Sequence, residues 1–216
     1  MWAYSTRLLD TISKFSYRAC MKLPQQTFLL FIAIFWFSPL YAHTDVASLQ
    51  GGFASGFMHP ILGLDHVVAM VAVGLWGAFL GKPAIWILPI VFPLVMAFGG
   101  ALGVAGVDIP YIETGIALSG IVIGLAVLFM ARPPIWIAAI IVGAFAIFHG
   151  HAHGTELPNS ANPLVFSIGF VTATGLLHLA GIAIGELTRW AWGTMVVRAS
   201  GGVIALIGLG FLLGYM

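Results

Sequence analysis

Residues 64–81 read LDHVVAMVAVGLWGAFLG, and this stretch already indicates a membrane protein. After Asp65 and His66, fifteen residues follow without a charged side chain. A helix that crosses a bilayer needs about 20 mostly apolar residues, so this run predicts one membrane span. Because ionisable side chains are costly inside a membrane, an aspartate and a histidine at the start of such a span suggest a functional site there.

Five further apolar runs follow, separated by polar residues, glycine or proline. They cover residues 84–106, 113–131, 134–152, 163–186 and 195–216. The chain has 216 residues, of which 61% are hydrophobic and only 7% charged, and its mean hydropathy is +1.07. Soluble domains contain about 25% charged residues. The sequence therefore predicts an all-α integral membrane protein, with residues 43–216 forming a single bundle of about six transmembrane helices.

The start of the chain is predicted to be a targeting segment. In residues 21–42, MKLPQQTFLLFIAIFWFSPLYA, a lysine precedes a short apolar core, and Ala42 ends the segment. This arrangement is typical of a signal peptide, whose apolar core is shorter than a membrane span. Cleavage is expected after Ala42; an uncleaved segment would instead add a seventh helix. Residues 1–20 are an upstream extension, which is either untranslated because Met21 is the start or an organelle-targeting sequence.

A shorter apolar segment, residues 46–58, precedes the first span. His59-Pro60 interrupts it, because proline has no amide hydrogen and disfavours a helical conformation in the residue before it. We therefore expect a half-helix or a re-entrant turn that ends at His59-Pro60. Such a break is tolerated at membrane depth only where protein covers it or where it lines a water-filled cavity.

The charged residues after the targeting segment predict the orientation of the bundle. If the mature N-terminus lies outside, all four basic residues fall in cytoplasmic loops: Lys82, Arg132, Arg189 and Arg198. The outer loops then contain acidic residues: Asp108, Glu113 and Glu156. Basic residues are enriched in cytoplasmic loops. We therefore expect a protein of the bacterial inner (plasma) membrane with its mature N-terminus on the periplasmic side.

Composition also excludes several classes of function. Residues 43–216 contain four basic and six acidic residues, and a net charge of −2 does not favour nucleic-acid binding. The single cysteine, Cys20, precedes the bundle, so metal ligands there must be imidazole, carboxylate, thioether or backbone groups. The sequence has no phosphate loop of the Walker type, so hydrolysis of ATP is not expected. We expect no organic cofactor and no enzymatic activity.

The first candidate site is the motif His59-x5-Asp65-His66, which places two imidazoles and a carboxylate within eight residues. Imidazole suits zinc, copper, iron and nickel, and a carboxylate adds a harder oxygen ligand. Met70 follows His66 by four residues on the same helix face, where its thioether could add a weak ligand. The alternative is that Asp65 only fixes the tautomer of a histidine that seals a helix break.

The second candidate site is the stretch FHGHAHGTE, residues 148–156, at the outer end of the fourth span. Its potential ligands are His149, His151, His153 and Glu156. If the helix continues, His149 and His153 share one face at i, i+4. If its two glycines end the helix, the histidines could converge in an extended loop or form a solvated loop without a specific role. Both motifs fall on the same predicted membrane face, which favours one shared site for a divalent metal.

Two other histidines are weaker candidates. His178 lies well inside the fifth span, where it is either a metal ligand or a hydrogen-bonded packing residue. If cleavage occurs after Ala42, the free amine and the imidazole of His43 would form a chelating pair. Glu186 and Arg189, at i, i+3 near the cytoplasmic end, are expected to form a surface ion pair, although Glu186 could instead receive an ion at the exit.

At these two motifs the sequence resembles the HupE/UreJ family, membrane proteins associated with hydrogenase and urease maturation. The resemblance rests on His59-x5-Asp65-His66, on the stretch 148–156, and on the layout of a signal peptide followed by six spans. It implies a permease for nickel or, in some members, cobalt. It also implies that six residues bind the ion or gate its path: His59, Asp65, His66, His149, His153 and Glu156. The resemblance assigns no role to His43, His151 or His178.

The leading hypothesis is therefore facilitated uptake of Ni²⁺, or of Co²⁺, from the outer compartment. The choice of metal comes from the resemblance, since such ligands follow the Irving–Williams order and do not select an ion by themselves. An alternative is an intramembrane zinc hydrolase, in which three histidines hold the metal with an open position for water. A membrane metal sensor that presents the ion to a maturation partner is a further alternative, although short loops offer it little docking surface.

Overall fold

A computed structural model describes residues 52–156 and 162–216 of the chain. The predicted signal peptide, the upstream extension and His43 lie outside the described residues. Within them the secondary structure is entirely helical, with seven α-helices and one short 3₁₀ turn. The α-helices are α1 Phe53–Leu62, α2 Leu64–Leu80, α3 Ala84–Val104, α4 Ile112–Leu128, α5 Ile135–Thr155, α6 Pro163–Gly185 and α7 Ala191–Leu212; the 3₁₀ turn is Glu186–Arg189.

Helices α2 to α7 coincide with the six apolar runs of the sequence. Four of them, α3, α5, α6 and α7, are each long and apolar enough to cross a membrane. Helix α2 reaches the required length only together with α1, and the two are bent by 83° relative to each other. Helix α4 is apolar but has 17 residues. The described residues thus contain four candidate spans, or five if the bent pair forms one, and a total of six stays a prediction.

The break between α1 and α2 lies at Gly63 and not at His59-Pro60, so the predicted position of the break was wrong. Pro60 lies inside α1, two residues before the helix ends, where its missing amide removes one helical hydrogen bond without ending the helix. Gly63 has an extended backbone (φ −83°, ψ 109°) and precedes the first residue of α2. A β-carbon at Gly63 would lie 2.9 Å from a carboxylate oxygen of Asp65, so the turn holds that side chain close to the backbone.

Helices α3 and α5 are in close backbone contact because glycines lie on the facing surfaces. A β-carbon at Gly150 would collide with the carbonyl of Met96, and one at Gly154 would collide with the carbonyl of Gly100. Small residues at such positions let two helices approach closely within a membrane. The glycines of the stretch 148–156 therefore serve helix packing and do not end the helix.

Helix α6 packs against both halves of the bent pair. A β-carbon at Gly56 in α1 would collide with the carbonyl of Phe166, and one at Gly74 in α2 would collide with the carbonyl of His178. The remaining close pair is α4 with α7, where Gly124 faces the backbone of Gly201. The bundle is thus built from helix pairs whose backbones meet at glycine.

Large apolar side chains cover the outside of the bundle. Leu94, Ile140 and Leu206, from three different helices, are 66%, 62% and 68% exposed. The core contains further apolar residues, among them Leu88 and Val142, which are fully buried. Soluble monomers rarely expose contiguous apolar surface of this kind. A lipid bilayer would cover it, in agreement with the membrane assignment.

One end of the bundle is basic. In the loop before α5, the guanidinium carbon of Arg132 lies 5.3 Å from the ring centroid of Phe79, near the end of α2. In α7, Nε of Arg198 donates a hydrogen bond of 3.0 Å to the carbonyl of Leu128, the last residue of α4. Lys82, between α2 and α3, lies at the same end. This agrees with the predicted grouping of basic residues on one face.

Tryptophans mark the same end. Four of them begin α3, α5 and α7 and are about half exposed: Trp86, Trp136, Trp190 and Trp192. Tryptophan is enriched where a helix passes the interface between lipid and water. The predicted ion pair between Glu186 and Arg189 is formed at this end too. The acidic and histidine-rich motifs lie at the opposite end.

Candidate metal centre

Four histidines from three helices meet at the end of the bundle opposite Arg132 and Arg198. His59 lies near the end of α1, His66 lies in the first turn of α2, and His149 and His153 lie near the end of α5. Since α5 stays helical to Thr155, the helical alternative for this stretch is correct and His149 and His153 share one helix face. The tertiary structure thus joins the two motifs that the sequence placed on one membrane face.

The four imidazoles form a continuous series of nitrogen contacts. Nε2 of His59 lies 2.9 Å from Nδ1 of His153. Nε2 of His153 contacts Nε2 of His66, and that atom of His66 lies 3.2 Å from Nδ1 of His149. His66 and His149 are buried, whereas His59 and His153 are half-buried. The series therefore runs from a partly accessible position to a buried one.

Ser119 of α4 determines which nitrogen of His149 is available. The Ser119 hydroxyl donates its hydrogen to the carbonyl of Ile116 at 2.6 Å. Its oxygen, 2.9 Å from Nε2 of His149, must therefore accept, and the hydrogen of the neutral imidazole lies on Nε2. Nδ1 of His149 is left with a free lone pair that faces His66.

Asp65 has the corresponding effect on His66. One of its carboxylate oxygens lies 3.4 Å from Nδ1 of His66, which favours a hydrogen on Nδ1 and a lone pair on Nε2. The nitrogens of His66 and His149 then face each other at 3.2 Å with no hydrogen to share. A cation bound by both nitrogens would remove this repulsion, and a carboxylate behind a ligating histidine is the common arrangement around bound metals.

A second group of potential ligands lies nearer the surface. His59, His153 and Glu156 each offer one atom, and these atoms lie within 4.8 Å of one another. Oε2 of Glu156 is 3.7 Å from Nε2 of His59, and the Glu156 side chain is 54% exposed. Because His153 directs Nδ1 toward this group and Nε2 toward His66, its ring connects the exposed ligands with the buried ones.

Phenylalanine rings cover the histidines. The ring of Phe170 lies 4.5 Å from that of His153, between centroids, and the ring of Phe92 lies 5.6 Å from that of His149. Phe166 and Phe170, one turn apart in α6, stack on each other above His59. Apolar cover excludes water and lowers the local dielectric, which strengthens the attraction between an ion and its ligands.

A cavity of about 210 Å³ lies beside this cluster. It is lined by α3, the end of α5 and the start of α6 and is partly open, and its lining is mostly apolar, with Met96, Phe166 and Phe170 among the contributors. His153 also lines it. The cavity therefore borders the histidine that links the exposed and buried ligands.

Three other predicted ligands in the described part of the chain are not brought into this cluster: His151, Met70 and His178. Nε2 of His151 donates to the carbonyl of Val107, at 2.6 Å, in the loop between α3 and α4. Met70 is fully buried in the apolar core of the bundle. His178 is buried in α6, and among the described residues neither of its ring nitrogens has a hydrogen-bond partner. His43 lies outside the described residues.

Ser119, Phe92 and Phe170 were not predicted from the sequence. Ser119 left a detectable signal, since it is a hydroxyl in the apolar run 113–131, where a polar group needs a partner. Nothing in the sequence distinguishes Phe92 and Phe170, because sixteen phenylalanines occur in the chain and most apolar rings in a membrane bundle face lipid or other helices.

Comparisons with known proteins cover this site and nearly all of the bundle. The family described as "HupE / UreJ protein" matches residues 30–211. "Protein HupE" of Rhizobium leguminosarum bv. viciae is 46% identical over 176 residues, which is 82% of this chain and 92% of the relative. No solved structure matches the chain. Since the match includes both histidine motifs and the helices that join them, the chain belongs to the HupE/UreJ family.

Proposed function

We propose that this chain is a membrane permease that facilitates the uptake of a divalent transition-metal ion, Ni²⁺ or Co²⁺, for the maturation of hydrogenase or urease. The observation that supports this most directly is the convergence of lone pairs from His66 and His149, each oriented by a fixed partner. Membership of the HupE/UreJ family supports the accessory role.

The protein would lie in the bacterial inner membrane, with α2 to α7 as six spans and the histidine cluster on the periplasmic side. The basic end, with Arg132 and Arg198, would then face the cytoplasm, as the enrichment of basic residues in cytoplasmic loops requires. In this orientation the ion meets the cluster first.

The first step is capture of the hydrated ion at the exposed group. Glu156 attracts the cation, and His59 and His153 replace part of its water shell. Carboxylate and imidazole are ligands that Ni²⁺ and Co²⁺ accept, while the absence of thiolate from the bundle disfavours a very tight soft-metal site.

The second step is transfer to the buried pair. His153 contacts both groups through its two nitrogens, and its neutral ring carries one hydrogen. The ion can pass from His59 to His66 while it stays bound to His153, as that hydrogen moves from Nε2 to Nδ1. His149 then completes the imidazole set. Division of the ligands between two overlapping positions keeps each one weak enough for rapid release, as conduction requires.

The test is the accumulation of radioactive nickel in cells that express the chain. The variant Asp65→Ala/His66→Ala removes one ligand and its orienting carboxylate; Asp108→Asn, an exposed acidic residue, is the matched control. All chains are compared at equal membrane levels, with cobalt and zinc as competitors. We expect the control to accumulate nickel like the unaltered chain and the double variant to match the empty vector.

Accumulation by the unaltered chain no greater than that of the empty vector, for every metal and with folded protein in the membrane, would contradict the permease. Tightly retained zinc under those conditions would direct attention to the intramembrane hydrolase instead.

A further inference from the structure

Two side chains of α6, Thr174 and His178, are buried and have no polar partner in the part of the chain that the structure describes. Thr174 is 0% and His178 is 2% exposed. Neither the Thr174 hydroxyl nor either ring nitrogen of His178 has a hydrogen-bond partner among the described residues. The two residues are four positions apart and therefore lie on one helix face. Buried polar groups are nearly always paired, because an unpaired group loses its hydration without compensation.

These residues lie deeper in the bundle than the histidine cluster. At the level of the cluster, the ring of Phe170 in α6 is 6.5 Å from the ring of His66 in α2. Further along the same two helices, the backbone of His178 touches Gly74. On each helix the second contact is eight residues beyond the first. With a rise of 1.5 Å per residue, the separation is about 12 Å, toward the basic end.

Phe92 of α3 lies between the cluster and the deeper pair. Its ring centroid is 5.6 Å from that of His149 and 5.7 Å from that of His178, and Phe92 is fully buried. One aromatic ring thus separates His149, the last imidazole of the cluster, from the imidazole of His178 in α6. An ion that leaves His149 toward the basic end meets Phe92 first and His178 next.

We propose that His178 and Thr174 form a second binding position for a divalent transition-metal ion, inward of the histidine cluster and separated from it by Phe92. The inference rests on the proposed function, because the ion is taken to be the one that the cluster receives. His178 supplies an imidazole nitrogen, Thr174 supplies a hydroxyl oxygen, and water completes the coordination. With two protein ligands the position is weaker than the cluster, which favours release toward the cytoplasm.

A packing role for His178 makes the opposite prediction. If the imidazole only fills space, an apolar ring of similar size should replace it without loss of bound metal, since no hydrogen bond is broken. If His178 is a ligand, the same replacement removes one ion and leaves the cluster occupied. His178→Phe therefore separates the two roles, and Thr174→Val does the same for the hydroxyl.

The experiment is equilibrium dialysis of the full chain, purified in detergent, against radioactive nickel. His178→Phe is compared with Leu179→Phe, a neighbouring residue that is 53% exposed. Thr174→Val is compared with Thr172→Val, whose hydroxyl bonds within its own helix. We expect His178→Phe to bind one nickel ion fewer per chain than the unaltered protein. Thr174→Val should lower the affinity for that ion about tenfold. Both controls should bind nickel like the unaltered protein.

The outcomes also separate this inference from the proposed function. Nickel binding by His178→Phe equal to that of the unaltered chain overturns the inner position. If the variant His66→Ala/His149→Ala then binds no nickel, the cluster accounts for all of the bound metal. If His178→Phe instead binds no nickel, the bound ion belongs to the inner position, and the proposed binding of metal by the cluster is contradicted. Should His178→Phe not fold, an unchanged nickel affinity in Thr174→Val overturns the inference.

Discussion

Nδ1 of His149 and Nε2 of His66 face each other at 3.2 Å, and in each imidazole the other nitrogen is held by a fixed partner. Ser119 accepts the hydrogen of His149, and Asp65 orients His66. Metal binding usually requires ligands to lose protons. Here both ligating nitrogens are already free of hydrogen, so an ion can bind to either without displacing a proton, which suits rapid capture and release.

Replacing Ser119 by alanine should weaken nickel binding while the fold is retained. The substitution removes the acceptor for Nε2–H of His149, which frees the imidazole to rotate or change tautomer. Loss of such an outer partner typically costs about 10–100-fold in metal affinity. The dissociation constant of nickel, from equilibrium dialysis of the purified chain, is the quantity to measure.

Ser200→Ala is the matched control, because within residues 52–156 and 162–216 the Ser200 hydroxyl bonds only to the carbonyl of Val196 in its own helix. It should bind nickel like the unaltered chain. A Ser119→Ala protein with the same dissociation constant as Ser200→Ala would show that Ser119 does not orient His149.

Gly154→Ala should destabilise the bundle and reduce metal binding together. The new β-carbon would collide with the carbonyl of Gly100, so α5 has to move away from α3 and carries His153 with it. Overpacking of this kind costs about 1–3 kcal/mol. The midpoint of thermal unfolding in detergent and the nickel dissociation constant report the two effects.

Gly143→Ala in the same helix provides the comparison. A β-carbon there would lie 3.7 Å from side-chain carbons of Val91 and Val95, which is ordinary contact. Alanine also favours the helix by about 0.5–1 kcal/mol over glycine. Gly143→Ala should therefore be as stable as the unaltered chain or slightly more stable. Equal unfolding midpoints for the two alanine variants would refute the packing argument.

The helices could be located from the sequence because the bilayer imposes one length and one polarity on every span. Features that depend on packing between helices could not be predicted from the sequence. Whether Gly150 ends α5 or faces a neighbour depends on Met96, which is far away in the chain. The break at Gly63 was missed because α1 continues past Pro60 to Leu62, although proline usually disfavours a helix at such a position.

The candidate ligands divide in the same way. His59, His66, His149 and His153 were predictable because ionisable residues are rare in membrane spans and these lie at one end. The separation of His151 from them was not, because it depends on whether the stretch stays helical. In a helix His151 lies on the side opposite the face that His149 and His153 share, whereas in an extended loop all three could converge. His151 turns to the loop carbonyl of Val107.

Glu156→Gln should raise the nickel concentration needed for half-maximal uptake and leave the maximal rate nearly unchanged. Glu156 belongs to the exposed group, and its charge attracts the hydrated ion before the buried ligands are reached. Attraction at an exposed site is screened by salt over about 10 Å at 0.1 M. The difference between Glu156→Gln and the unaltered chain should therefore shrink as ionic strength rises in uptake assays with radioactive nickel.

Asp108→Asn, in an exposed loop at the same end, is the control for a general effect of surface charge. It should leave the half-maximal concentration within the error of the assay. A fall in maximal rate with an unchanged half-maximal concentration in Glu156→Gln would place this carboxylate in the transfer step and not in capture.

The basic end should lie in the cytoplasm and the histidine cluster outside. Single cysteines replace Lys82, between α2 and α3, and Asp108, between α3 and α4, in a Cys20→Ser background that removes the only native thiol. A membrane-impermeant thiol reagent added to intact cells should label position 108 and spare position 82, because basic loops are retained inside. Permeabilised cells, in which both positions should react, show that position 82 is accessible in principle. Labelling of position 82 in intact cells would show that the bundle has the opposite orientation. The histidine cluster would then have to act as the exit for the ion.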